Sequence, residues 1–150
     1  MTIWMKRIAL TATAVAAVGL LGVSMTQAQN DPIKQRQTVM KSNGDQGKTL
    51  KAVVDAKGDA KTMAAAAAMI AQNLSEFPKL FPAGSDKGET KASPDIWTDM
   101  AGFAAMAKSG ADAALKLEAS AKKGDIAVAA ADFGELGKVC GACHNKYRLK

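Results

Sequence analysis

The sequence predicts an all-α fold: an antiparallel up-down-up-down four-helix bundle in a single domain. Three observations predict it. Apolar residues recur at steps of three or four through four successive windows. Each window opens at or near a residue suited to capping a helix, and glycine or proline falls between windows. No stretch alternates apolar and polar β-branched residues in the way a half-buried strand requires. The composition agrees, with 48% hydrophobic and 23% charged residues, as in globular chains. An aromatic content of only 5% means that most of the core must be alanine and aliphatic side chains.

Residues 1–28 stand apart from this fold. Lys6 and Arg7 precede an uncharged apolar run from Ile8 to Val23. The small or polar residues Ser24 to Gln29 follow, with Thr26 and Ala28 spaced for cleavage. This is the three-part layout of a secretory signal peptide, and the run is short for a membrane span. The expected mature domain is residues 29–150, exported to the periplasm, with no stable membrane span once the leader is removed. It holds eighteen basic residues against fourteen acidic, a net charge of +4. The basic residues are dispersed and aromatics are few, which argues against a nucleic-acid platform. Their positive charge is suited to steering an acidic redox partner, weakly at this magnitude.

The first helix opens at Asp31-Pro32, a cap followed by proline at the first helical position. Ile33, Gln37, Met40, Gly44, Gly47, Leu50 and Val54 then form one stripe to about Lys57, with Gly58 as the stop. Asp59 caps a second helix, where Met63, Ala67, Ile70, Leu74 and Phe77 keep the same step. Its alanine run 64–68 has the best intrinsic helix propensity available. Residues 76–93 carry Pro78, Pro82, Gly84 and Gly88 and read as the one long loop. Ser93-Pro94-Asp95 restarts the chain as a third helix with Ile96, Trp97, Met100, Phe103, Ala107, Ala111, Ala114 and Leu117 on its inner side. Gly124 ends it, and Asp125 caps a last helix running to about Tyr147.

The chemistry is concentrated in that last helix. Both cysteines and the single histidine of the chain fall within Cys140-Gly-Ala-Cys143-His144. Positions i, i+3 and i+4 of a helix share a face, so all three side chains point the same way. That arrangement suits addition of two thiols across the vinyl groups of one haem, with the imidazole at the iron. A thioredoxin-like pair needs a preceding strand, and a zinc site needs a fourth ligand for which no further histidine or cysteine exists. One covalent haem c, attached through Cys140 and Cys143 with His144 as axial ligand, is therefore the expected cofactor.

No methionine, histidine or cysteine follows His144, so a second axial ligand must come from upstream. The mature chain offers Met40, Met63, Met69, Met100 and Met106, besides lysines. Met40 lies on the inward stripe of the first helix, in the half that an antiparallel bundle sets beside the C-terminal half of the last. Gly44 and Gly47 continue the stripe and leave room for a flat macrocycle. On spacing alone both roles stay open for Met40, ligand and plain core. Trp97 is the only tryptophan of the mature chain and could pack on a haem edge or simply fill core. Arg148 lies one turn beyond His144 on the same face. Gly134, Gly137 and Gly141 read as room for a close helix or haem approach.

Residues 31–150 resemble the class II c-type cytochromes. The resemblance rests on Arg36-Gln-Thr-Val-Met40, on Pro94-Asp-Ile-Trp97, and on Cys140-Gly-Ala-Cys143-His144-Asn-Lys-Tyr147-Arg148. The stretches Val39-Met40-Lys41-Ser42-Asn43-Gly44 and Phe77-Pro-Lys-Leu-Phe81-Pro82 are most similar to the low-spin cytochrome c-556 branch. The resemblance implies Met40 as sixth ligand, Arg36 against a haem propionate and Arg148 beside the histidine on the proximal side. It implies a monohaem electron carrier rather than an enzyme, in keeping with the lack of any recognisable general base, oxyanion loop or second metal site. The alternative is the high-spin cytochrome c′ pattern, in which Met40 walls a pocket for nitric oxide or carbon monoxide. The expected partners are redox proteins that the sequence does not name, and pairing into a homodimer stays open.

Overall fold

The computed structural model describes residues 31–150; the segment 1–28, read above as a signal peptide, lies outside them. Five helices follow one another: α1 (Pro32–Asp55), α2 (Ala64–Glu76), a single turn α3 (Asp95–Thr98), α4 (Met100–Lys123) and α5 (Ile126–Tyr147). The four long ones form the antiparallel up-down-up-down bundle. Among the described residues the sole β contact is an isolated antiparallel bridge between Ala92 and Arg148. No helix among them is long and apolar enough to cross a membrane.

The caps follow the side-chain chemistry. Asp31 Oδ1 accepts from the amides of Ile33 and Lys34, at 2.9 and 3.3 Å, satisfying donors that have no partner inside α1. Asp125 does the same for Ala127 and Val128, at 2.9 and 3.1 Å. Gly124 ends α4 with φ +83°, a left-handed conformation that glycine adopts without a Cβ clash.

Four boundaries differ from the expectation. Helix α1 ends at Asp55, and Lys57, not Gly58, takes the left-handed position, with φ +48°. The Lys57 amide donates to Val54 O at 3.1 Å and the Gly58 amide to Val53 O at 2.9 Å, a paired closure that sets the left-handed residue one place before the glycine. The second helix starts as a 3-10 turn, Ala60–Met63, whose Lys61 amide Asp59 caps. A second 3-10 turn, Phe77–Leu80, takes over the first part of the expected loop, because Phe77 is buried edge-on against Phe81 with ring centroids 5.0 Å apart. The third helix is broken at Asp99, with φ −131° and ψ 50°, where the carboxylate caps α4 by accepting from the Gly102 amide at 3.1 Å.

Helix α4 is central and packs along both α2 and α5, whereas α1 leans on α2 and meets α5 only sparingly. Gly110 permits the close approach of α2 to α4, since a Cβ there would lie 2.8 Å from Leu74 Cδ1. The core falls into two clusters. One is aliphatic and includes Leu50, Met63, Ile70, Leu117 and Leu136. The other is aromatic, built on Phe77, Phe81, Phe103 and Tyr147. The aliphatic cluster is bordered by an ion pair at 2.8 Å from Lys116 on α4 to the buried carboxylate of Asp132 on α5.

Candidate functional site

A cavity of about 680 Å³ opens between α1 and α5, with walls from both core clusters. On α5 the helical spacing brings Cys140, Cys143 and His144 to its lining, and on α1 the same geometry contributes Arg36, Met40, Gly44 and Gly47. Cys140 packs against the aliphatic cluster and Cys143 against the aromatic one, so the two thiols straddle the boundary between them. Burial pushes both thiols up from their ordinary value, and Cys143 is raised further by its neighbour Cys140. His144 is pushed down by burial and then by the positive charge of Arg148, which favours the neutral imidazole that can donate a lone pair to a metal.

The lining suits a flat, mostly apolar group bearing carboxylates. Its volume lies within the roughly 300–1,000 Å³ usual for cofactor sites. A Cβ added at Gly44, Gly47 or Gly137 would meet nothing within 4 Å, so the walls are open where a planar ring needs clearance. Arg36, Lys91 and Arg148 line the cavity and no carboxylate does. Neutral thiols with two residues between them, an imidazole and a cationic border are the donor set that a covalently bound haem with its two propionates requires. The residues fit the group.

Five methionines were open as upstream ligands, and the structure separates them. Met63 is fully buried in the aliphatic cluster, Met69 is 45% exposed, and Met100 packs on the aromatic cluster without reaching the cavity. Met40 on α1 and Met106 on α4 line it. Spacing does not single out Met106 among the five, although its place three residues after Phe103 puts it on the inner side of α4.

Arg36 is 4% exposed. Its Nη1 donates to Leu80 O at 3.2 Å and to Ser85 Oγ at 2.9 Å, and Nη2 donates to Ser85 O at 2.9 Å. The guanidinium also stacks over Phe81, 4.6 Å from the ring centroid. Its acceptors are all neutral. Burial lowers its pKa from the ordinary arginine value, and Asp31 partly offsets this. Arg148 reaches the cavity from the end of α5, where its backbone pairs with Ala92.

The structure places Trp97 and the α5 glycines as follows. Trp97 does not line the cavity; its indole N–H donates to Pro82 O at 3.0 Å and its ring lies 5.6 Å from Phe81, which draws it behind Arg36. Of the three α5 glycines only Gly137 borders the cavity, while Gly134 and Gly141 are exposed with open space around them. The residues 90–92 were missed altogether. Thr90, Lys91 and Ala92 close one end of the cavity, held by Leu149 N donating to Lys91 O at 2.8 Å and Gln37 Nε2 donating to Glu89 O at 2.8 Å. A loop carries no periodicity from which such a role could be read.

The family model described as Cytochrome C′ matches residues 31–148. The chain is 38% identical over 128 residues to a cytochrome c′ of Rubrivivax gelatinosus, covering 83% of this chain and 98% of that protein. It is 39% identical over 123 residues to a cytochrome c-556 of Agrobacterium tumefaciens (strain B2A), covering 79% of this chain and 97% of that one. The solved cytochrome c′ of Thermochromatium tepidum superposes with a TM-score of 0.76 at 27% identity, covering 81% of this chain and 96% of the other.

Proposed function

The chain belongs to the cytochrome c′ family and carries one haem c attached through Cys140 and Cys143; from that premise we propose that it is a periplasmic electron carrier with His144 and Met40 as axial ligands. The observation that carries this reading is that Met40, from the α1 wall, and His144, from the α5 wall, line the same cavity as both thiols. When bound, the haem supplies one-electron exchange between ferric and ferrous iron, and a thioether ligand favours the ferrous state.

The chain's own residues do the rest. The thiols hold the group on α5, next to the imidazole. Arg36, Lys91 and Arg148 offer cationic partners to the two propionates. The aromatic cluster of Phe77, Phe81 and Phe103 excludes water from one end of the cavity. Met40 is preferred to Met106 because Gly44, one turn along α1, leaves open space beside it, and because its surroundings resemble the c-556 branch. Were His144 and Met40 both to hold the iron, no position would be left there for a substrate. The signal-peptide reading of residues 1–28 supplies the export to the periplasm, where haem attachment of this type belongs.

Charge supports an acidic redox partner. Segments 31–48, 88–92 and 134–150, which carry much of the cavity's lining, hold nine basic and four acidic residues, while the remaining described residues hold nine and ten. The net positive charge of the domain is thus concentrated in the segments that contribute to the cavity, which also carry Lys138, Lys146 and Lys150.

The test is the optical spectrum of the reduced protein with and without carbon monoxide. A low-spin spectrum indifferent to the gas is the expected result. A high-spin spectrum that changes readily with the gas overturns the assignment of a methionine ligand and makes the protein a gas binder of the cytochrome c′ type.

A further inference from the structure

On the turn of α5 that carries His144, the side chains of Lys146 and Tyr147 meet one carboxylate outside the helix. Asp99 sits at the break between α3 and α4. Its Oδ1 accepts from the Gly102 amide at 3.1 Å, while its Oδ2 accepts from the Tyr147 hydroxyl at 2.7 Å and from Lys146 Nζ at 2.8 Å. The two partners on α5 lie two and three residues beyond His144. Tyr147 is 3% exposed, and its ring is edge-on to Phe103 with centroids 5.2 Å apart. Its carbonyl accepts from the Ser93 amide at 2.9 Å.

The residue at position 102 is part of the same contact. A Cβ at position 102 would lie 2.5 and 2.6 Å from the Asp99 carboxylate oxygens and 2.7 Å from the Tyr147 hydroxyl. Glycine at that position is what lets the carboxylate and the phenol meet above the first turn of α4. A helix cap alone needs one oxygen and one amide. Here the second oxygen is committed to α5, across an otherwise simple start of helix.

We propose that Asp99 is a positioning residue for His144: it ties the last turn of α5 to the start of α4 and so holds the imidazole's orientation toward the cavity. The proposal rests on the reading of His144 as axial ligand. The final turn of a helix is prone to fraying, and the Asp99 contacts add a side-chain tie to the backbone bonds that Tyr147 and Leu149 make there. Tyr147 is the lever, because its ring is buried and its hydroxyl reaches Asp99, so displacement of the phenol displaces the turn. Asp99 touches neither thiol nor imidazole in any contact described above and acts through Tyr147.

The test uses the haem-loaded chain and four variants, read by the g-values of the ferric electron paramagnetic resonance spectrum and by thermal unfolding. Asp99→Ser keeps a cap for Gly102 but has one short oxygen and loses Tyr147 and Lys146. Asp99→Asn keeps the cap through its Oδ1 and keeps a bond to Tyr147 with the direction reversed, Nδ2 donating to the hydroxyl oxygen, while Lys146 loses its acceptor. Tyr147→Phe removes the hydroxyl alone. The expected result is shifted or broadened g-values in Asp99→Ser and Tyr147→Phe, the same in both, with restoration in Asp99→Asn. Spectra of Asp99→Ser and Tyr147→Phe superimposable on the wild type, whatever happens to the melting temperature, overturn the proposal and leave Asp99 a cap only. His144→Ala separates the two levels: an unchanged spectrum there means that His144 is not a ligand, and the underlying reading fails first.

Discussion

Arg36 crosses from α1 to the loop after α2 and holds Ser85 at two points, Nη1 to the hydroxyl and Nη2 to the carbonyl, both at 2.9 Å. The same loop is closed by the Ser85 hydroxyl donating to Pro82 O at 2.8 Å. The buried guanidinium gives three hydrogen bonds to neutral acceptors and has no carboxylate among them, which is the condition in which a propionate is a welcome further partner. Arg36→Met preserves much of the stem and leaves the Ser85 and Leu80 carbonyls short of a donor. It is expected to lower stability by about 1–3 kcal/mol. Urea unfolding at unchanged m-value measures it.

Met40→Ala should convert a low-spin, gas-indifferent haem into one that binds carbon monoxide, whereas Met106→Ala should leave the spectrum low-spin. The reverse pattern would move the ligand to α4. Both side chains reach the cavity, so the pair of variants decides between them.

The acid limb of the stability profile should carry the signature of Asp99. Hydrogen bonds from Lys146, Tyr147 and the Gly102 amide hold its carboxyl at about 2, below the ordinary value of 3.8. A depressed folded-state value means that its contribution is fully present above the unfolded value and is lost as pH falls from about 4 toward 2. Asp99→Asn should flatten that part of a stability curve measured by denaturant titration from pH 6 to pH 2.

Two glycine substitutions of equal helix propensity should act in opposite directions. Gly134→Ala meets open space on an exposed face of α5 and should stabilise by about 0.5–1 kcal/mol. Gly102→Ala drives a Cβ into the Asp99 carboxylate and the Tyr147 hydroxyl and should destabilise despite the same gain in propensity. Thermal melts of the two variants against the parent check the sign.

Cys140→Ser and Cys143→Ser should each leave a haem held by one thioether, with a pyridine haemochrome band displaced from that of the parent. The double variant should leave the exported protein without covalent haem by mass spectrometry.

Helix identity, caps and the haem motif were legible because each is local. Asp31-Pro32, Gly124 and Asp125 act on backbone groups within a few residues, and Cys140, Cys143 and His144 share a face by the pitch of a helix alone. The break at Asp99 was not legible, since the residues that engage its carboxylate most strongly lie on α5, 47 and 48 residues away. For Trp97 the stripe position left a haem edge and core filling both open; its packing on the aromatic cluster depends on a loop carbonyl that accepts from its indole.

The amino-acid order by itself determined that this chain forms four amphipathic helices and presents two thiols and an imidazole on one of them. Only the tertiary structure decided which methionines reach the same cavity, that Arg36 is buried, and that residues 90–92 close its end. Periodicity states which side of a helix is apolar; the choice of neighbour depends on how helices lean and where loops return, and those are settled by contacts between residues far apart in the chain.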